Sequence, residues 1–162
     1  DMYVLSYDST KTLRTASSTL KQNLKTYLSE YRMINDSIKI KDAYIINIVC
    51  EFDIIVLPNF NNNQVILSCI NTLNVYFNIN NWNINQPILL KDLTVLLDKV
   101  EGVQTVVNIL LKNISGATKG YSNYSYDLSM ATNNGIIYPS VDPMIFELKY
   151  PQADIIGRVV PL

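Results

Sequence analysis

The sequence predicts an α+β fold: a mainly antiparallel sheet with helices on one face, followed by a β-rich, irregular C-terminal lobe. Three observations point there. Residues 44–56 alternate between an apolar and a mixed set of side chains, the period of a strand with one covered face. Residues 61–78 and 90–100 place apolar side chains three and four apart, the period of an amphipathic helix. Beyond Asn113 both periods give way to Gly, Ser and Tyr with short extended runs, so a boundary is expected there, between 1–113 and 114–162.

In chain order, Met2 to Tyr7 reads as an incoming or edge strand broken by Asp8-Ser9-Thr10. A helix is expected from Ala16 to Met33, with Leu20, Leu24, Tyr27, Leu28 and Tyr31 on one face. Thr15 or Ser17 can cap it, and Asn35-Asp36 ends it. Ile38 and Ile40 alternate with lysines in a short, half-exposed strand. In the long strand that follows, Tyr44, Ile46, Ile48, Cys50, Phe52, Ile54 and Val56 share the apolar face. A strand of this length should bend or bulge. Asn61 or Asn62 caps the next helix, whose stripe is Ile66, Cys69, Ile70, Leu73, Tyr76 and Phe77. A link through Trp82 leads to a helix over 90–100 with Leu93, Leu96, Leu97 and Val100 inward, stopped by Gly102. Strand resumes at Val103, with Thr105, Val107, Ile109 and Leu111 on its face. Asn133-Asn134-Gly135 signals a turn. Short strands are expected at Ile136–Tyr138, Met144–Tyr150 and Ile155–Val160.

Composition narrows the function. A chain of 162 residues can bury a core without staples. Its content is 48% apolar and only 17% charged, so partners are expected to cover part of the surface. A net charge of −1 argues against a general nucleic-acid binder and a basic membrane patch, and no apolar run approaches a membrane span. A chain opening at Asp1 is expected to belong to a longer one.

With no histidine, neither a Ser-His-Asp nor a Cys-His arrangement can form, and the two cysteines read as small buried hydrophobes. No cofactor or metal site is expected, since the five glycines are scattered and two cysteines cannot close a zinc site. Glu51 and Asp53 are neighbours on one strand face. As a pair they could serve a hydrolase, but a solvated sheet face carries such pairs as a matter of course. Asn35-Asp36-Ser37, Asn113-Ile114-Ser115 and Asn123-Tyr124-Ser125 match the glycosylation acceptor, as chance allows in an Asn-rich chain. Tyr121, Tyr124 and Tyr126 cluster in the irregular segment, where rings serve an interface or tuck under their own loop. Trp82 either anchors a partner or pins its link to the core.

The order of elements from Tyr76 to Val103 resembles the baseplate-J-like family, baseplate wedge proteins of contractile-tailed phages. The residues that carry the likeness are Tyr76-Phe77, Trp82, Gln86-Pro87-Ile88, the helix from Leu93 to Val100, and Gly102-Val103. Around them, Lys21 to Leu28, Tyr31-Arg32-Met33, Ile40-Lys41-Asp42-Ala43, Tyr126-Asp127-Leu128, Asn134 to Ser140 and Asp142-Pro143-Met144 are similar to the wedge proteins of T-even-type phages. The family link carries a glycine where this chain has Asn85, which leaves the turn geometry there open.

The resemblance implies the C-terminal portion of a structural, non-enzymatic wedge protein. It would reside in the virion's tail baseplate, assembled in the host cytoplasm. Its expected partners are copies of itself, as a homodimer or higher oligomer, and other baseplate wedge proteins. Residues 116–162 are the expected interface, with Trp82, Tyr121, Tyr124, Tyr126, Ile136, Ile137 and Tyr138 as candidate contacts. The alternative is a carbohydrate- or receptor-binding module using Trp82 and the tyrosines as stacking platforms.

Overall fold

A computed structural model describes residues 1–31 and 37–162. The elements are β1 (Met2–Val4), β2 (Ser6–Tyr7), β3 (Leu13–Arg14), α1 (Ser18–Ser29), β4 (Ile40–Asp42), β5 (Tyr44–Val56), α2 (Asn62–Tyr76), β6 (Ile88–Leu89), α3 (Leu90–Asp98) and β7 (Val103–Asn113). There follow α4 (Leu128–Ala131), β8 (Thr132–Asn133), β9 (Ile136–Ile137), β10 (Met144–Glu147), α5 (Pro151–Asp154) and β11 (Ile155–Val159). The class is α+β.

β5 organises the sheet because three strands bond to it. β7 runs antiparallel along Ile48–Val56, β10 runs parallel to Tyr44–Asn47, and β11 runs parallel to Cys50–Ile54. The segment after Asn113 therefore does not stand apart as a lobe: its two longest strands complete the sheet begun before the expected boundary, and both sides share one core. Parallel pairing of β10 follows from the path, since β7 ends opposite Ile48, near the start of β5, and β10 begins there, opposite Tyr44.

Helices cover one face. α2 packs on β11 and α3 on β7. Cys50, Phe52 and Ile54 of β5 meet Cys69 and Leu73 of α2 and Leu93 and Leu97 of α3 in a core where each is fully buried. Asn61 caps α2, its Oδ1 accepting from the N–H groups of Asn63 and Gln64. Gly102 turns α3 into β7 at φ 93°, and a Cβ there would lie 2.7 Å from both Phe60 Cδ1 and Val65 Cγ2.

The expected bend falls on β7. Its register against β5 shifts between Asp53 and Ile54 and again between Ile55 and Val56. Each shift leaves one β7 residue without an opposite number and reverses the alternation. Val106 consequently faces the core opposite Ile54, while Val107, expected inward, is 54% exposed.

The apolar stripe of α1 is not a core face. Ser17 caps the helix, one of the two caps expected, but none of its residues is buried, and the rings of Tyr27 and Tyr31 lie tilted with centres 5.3 Å apart. Periodicity shows that a helix has an apolar side; whether another layer covers that side is settled by the rest of the fold. The expected helix end at Met33 and the Asn35-Asp36 stop lie outside the described residues. Beside α1, β1 and β4 form a two-stranded parallel ribbon. A third small sheet orders β6, β9 and β8, with Asn134 and Gly135 both at positive φ in the β8–β9 turn.

Candidate interaction site

The face of β5 opposite the helices is covered only in its first third. There Ile45 and Asn47 are buried beneath residues 13–15 and 120–124. Asn47 stands in register with Glu147 of β10, and its Nδ2 donates to Glu147 Oε1 at 2.9 Å. Glu147 Oε2 accepts from the Leu13 N–H at 2.7 Å, and Asn47 Oδ1 accepts from the Ser122 N–H at 2.7 Å. Two buried polar side chains thus fasten an early and a late segment to the sheet. Burial is the largest influence on Glu147 and pushes its carboxyl above the usual range. The bonds from Leu13 and Asn47 and the charge of Lys149 oppose that shift; the charge of Asp8 adds to it. Sequence reasoning missed both residues, because strict alternation assigns Asn47 and Glu147 to a solvated face. The signal was their position: each stands between two large apolar residues in a run that is apolar on both faces.

Above this pair opens a cleft of about 390 Å³ walled by Arg14, Thr15, Ile45, Tyr121, Tyr124 and Lys149. Tyr121 is pinned: its hydroxyl donates to Asp154 Oδ1 at 2.6 Å and its ring meets Tyr150 edge-on. Burial first, and the bond to the Asp154 carboxylate second, raise the Tyr121 phenol to about 12. Tyr124 sets its ring edge-on to Tyr44 at 4.7 Å and remains 46% exposed. Tyr126 turns inward, tilted on Phe146, and its hydroxyl donates to the Tyr138 carbonyl at 2.7 Å. Tyr138 is exposed and Ile136 half-buried.

Two expected contacts are core residues. Ile137 is buried opposite Ile88 in the small sheet. Trp82 is 6% exposed, stacked on Phe77 with centres 5.7 Å apart, and its Nε1 donates to the Tyr76 carbonyl at 3.1 Å. A ring enclosed in this way presents no platform to a sugar or partner. Three residues on, Asn85 takes φ 63°, the left-handed conformation that Asn tolerates better than other non-glycine residues. It bonds β10 twice, donating its N–H to the Met144 carbonyl and accepting from the Met144 N–H through Oδ1.

Glu51 and Asp53 share a half-exposed face and are ion-paired. Lys112 Nζ lies 3.0 Å from Glu51, and Arg158 reaches Asp53 at 2.9 Å and Glu51 at 3.6 Å. Cross-strand neighbours neutralise both carboxylates, and neither lines the cleft described above. Cys50 and Cys69 are free and buried. Burial pushes their thiols up to about 12 and about 11, with the charge of Glu51 adding to the former, so neither is a thiolate at neutral pH.

Among the described residues, the remainder of this sheet face carries no covering element and is half-exposed. Leu110 and Ile156 flank Glu51 from either side, 43% and 42% exposed, and Val107 adds a third exposed side chain on β7. Among the described residues, β5 is the one strand paired with β7, which makes β7 an edge strand, with the N–H groups of Val103 and Val106 already held by the Val100 carbonyl and Asp98 Oδ1. No protein-family model matches the chain, and no curated protein matches it.

Proposed function

We propose that the protein is a structural subunit of a phage tail baseplate wedge that associates with its own copies and with other wedge proteins, acting by surface complementarity and not by catalysis. The sequence likeness from Tyr76 to Val103 supports the class. The observation that carries the mode of action is the open sheet face ending in β7, where Val107, Leu110 and Ile156 stand exposed beside an edge. Such an edge pairs readily with another chain unless charge or a covering element blocks it, and Lys112 is the lone charged residue of β7.

Sedimentation velocity over a concentration series tests self-association. Dimers or larger species should form, and Val107→Lys with Leu110→Lys should return them to monomer. A wild-type chain that remains monomeric at high concentration overturns that part. Co-purification with the products of adjoining reading frames tests the class: tail proteins in the complex support it, and adjoining frames unrelated to tails overturn it.

The second reading, a carbohydrate-binding module, is favoured by the cleft at Tyr121 and Tyr124, where an exposed ring, Asn123 and two basic side chains converge. Glycan-array binding lost in Tyr124→Ala would support it. Trp82 takes no part in this reading.

A further inference from the structure

Four of the chain's ten lysines line one groove. Lys21 and Lys25 stand one turn apart on α1, and Lys39 and Lys41 stand two residues apart at β4. The groove between them holds about 530 Å³. We propose that this groove docks a short extended segment of a partner protein carrying Asp or Glu at alternate positions.

The geometry argues for a strand-like occupant. Successive strand residues point to opposite faces, yet Ile40 and Lys41 of β4 both line the groove, beside Ile38 and Lys39 of the segment leading into it. A groove bordered by consecutive residues runs along a strand's edge and not over one face. β1 takes the opposite edge of β4. An incoming segment can therefore add main-chain bonds at this edge, the mode in which backbone pairing gives affinity and flanking side chains give selectivity.

The charge spacing sets the chemistry. One helical turn separates Lys21 from Lys25 by roughly 6 Å, and two residues of extended chain set Lys39 at most roughly 6.6 Å from Lys41. Alternate side chains of an extended peptide have nearly the same spacing, so two carboxylates two residues apart meet lysines on both walls. Among the described residues, Asp42 holds Lys21 and Asp1 holds Lys41, so two of the four ammoniums are already matched one to one. The surplus of positive charge on a chain whose net charge is −1 makes this patch locally distinct. Nucleic acid is the weaker fit. Among the described residues, the groove is lined by lysines with no arginine for bidentate phosphate contacts and no aromatic ring for a base.

The test uses the whole chain and fluorescence anisotropy at low salt. The probes are a labelled octapeptide of alternating Glu and Val, the same peptide with Gln for Glu, and an oligothymidylate of eight nucleotides. The Glu peptide should bind at least about tenfold tighter than the Gln peptide. The double variant Lys25→Glu with Lys39→Glu should weaken it about tenfold. Lys91→Glu with Lys99→Glu, on α3 and at its C-terminal cap, makes the same change in net charge and should leave binding intact. Equal loss in both doubles, no binding of the Glu peptide, or tighter binding of the oligonucleotide each overturns the proposal. If the charge-reversed chain fails to melt cooperatively, Lys25→Gln with Lys39→Gln replaces it, with a threefold loss expected and no loss overturning the assignment.

Discussion

Asn47 and Glu147 face each other across the parallel pair of β5 and β10, joined at 2.9 Å although 100 residues separate them in the chain. Because Glu147 also receives the Leu13 N–H and Asn47 receives that of Ser122, this one contact ties four segments together. Glu147→Ala leaves the Leu13 N–H and the Asn47 amide buried without acceptors. It should cost roughly 1–3 kcal/mol, read by urea denaturation. A change below about 0.5 kcal/mol would show that the latch carries no strain of unmet bonds.

The same carboxyl gives a pH signature. The folded state holds the Glu147 proton to a higher pH than the ordinary value of 4.5. Between that value and the raised one, the unfolded chain binds fewer protons than the folded chain, so stability falls as pH rises through this window. Glu147→Gln cannot ionise, but its amide meets the Asn47 donor and makes it less stable at low pH. The gap between wild type and variant should therefore narrow as pH rises, measured by urea midpoints from about pH 4 to about pH 8. A gap that widens would contradict the buried-acid assignment.

Two glycines separate backbone strain from crowding. Gly135 has φ 76° with open space around a would-be Cβ, so Gly135→Ala should cost only the left-handed penalty, about 1–2 kcal/mol. Gly102→Ala meets the same penalty and also drives a methyl against Phe60 and Val65. Its melting temperature should fall further than that of Gly135→Ala; equal falls would mean that Phe60 yields freely.

Trp82→Ala should destabilise by about 3–5 kcal/mol, the range for emptying a buried aromatic site. Trp82→Phe keeps the stack on Phe77 and loses the bond to the Tyr76 carbonyl, with a cost nearer 1 kcal/mol. Thermal melts of both variants check this, and a neutral Trp82→Ala would return the residue to the list of surface contacts.

Arg158 bridges Glu51 and Asp53 from an exposed position, so Arg158→Ala should cost less than about 1 kcal/mol. Denaturation in about 1 M salt should shrink even that difference, since the Debye length there is about 3 Å.

Local features were legible wherever the signal was local. The caps at Ser17 and Asn61, the positive φ of Gly102 and the turn at Asn134-Gly135 need only neighbouring residues and stand where the sequence places them, although α3 ends at Asp98, with Lys99 as its cap, before Gly102 is reached. The inward rows of α2 and α3 follow from helical period and were partly legible: Cys69, Leu73, Leu93 and Leu97 are buried as expected, whereas Val65 supplants Ile66 as the deepest residue of the first turn of α2. The candidate site was harder to read. Tyr121 and Tyr126 proved to be fastened inward through Asp154 and the Tyr138 carbonyl, partners 33 and 12 residues away. Trp82 and Ile137 are buried by elements equally remote in sequence.

Sequence alone determined the α+β class, the caps and turns, and the apolar rows, because each depends on periodicity or chemistry within a few residues. Tertiary structure alone decided which rows meet a partner. It kept the α1 stripe out of the core, buried Asn47 and Glu147 by matching them across 100 residues, brought β10 and β11 back onto β5, and reversed the facing of Val106 and Val107 by a register shift. These outcomes depend on hydrogen bonds and contacts between distant segments, and a local pattern carries no information about what will lie opposite it.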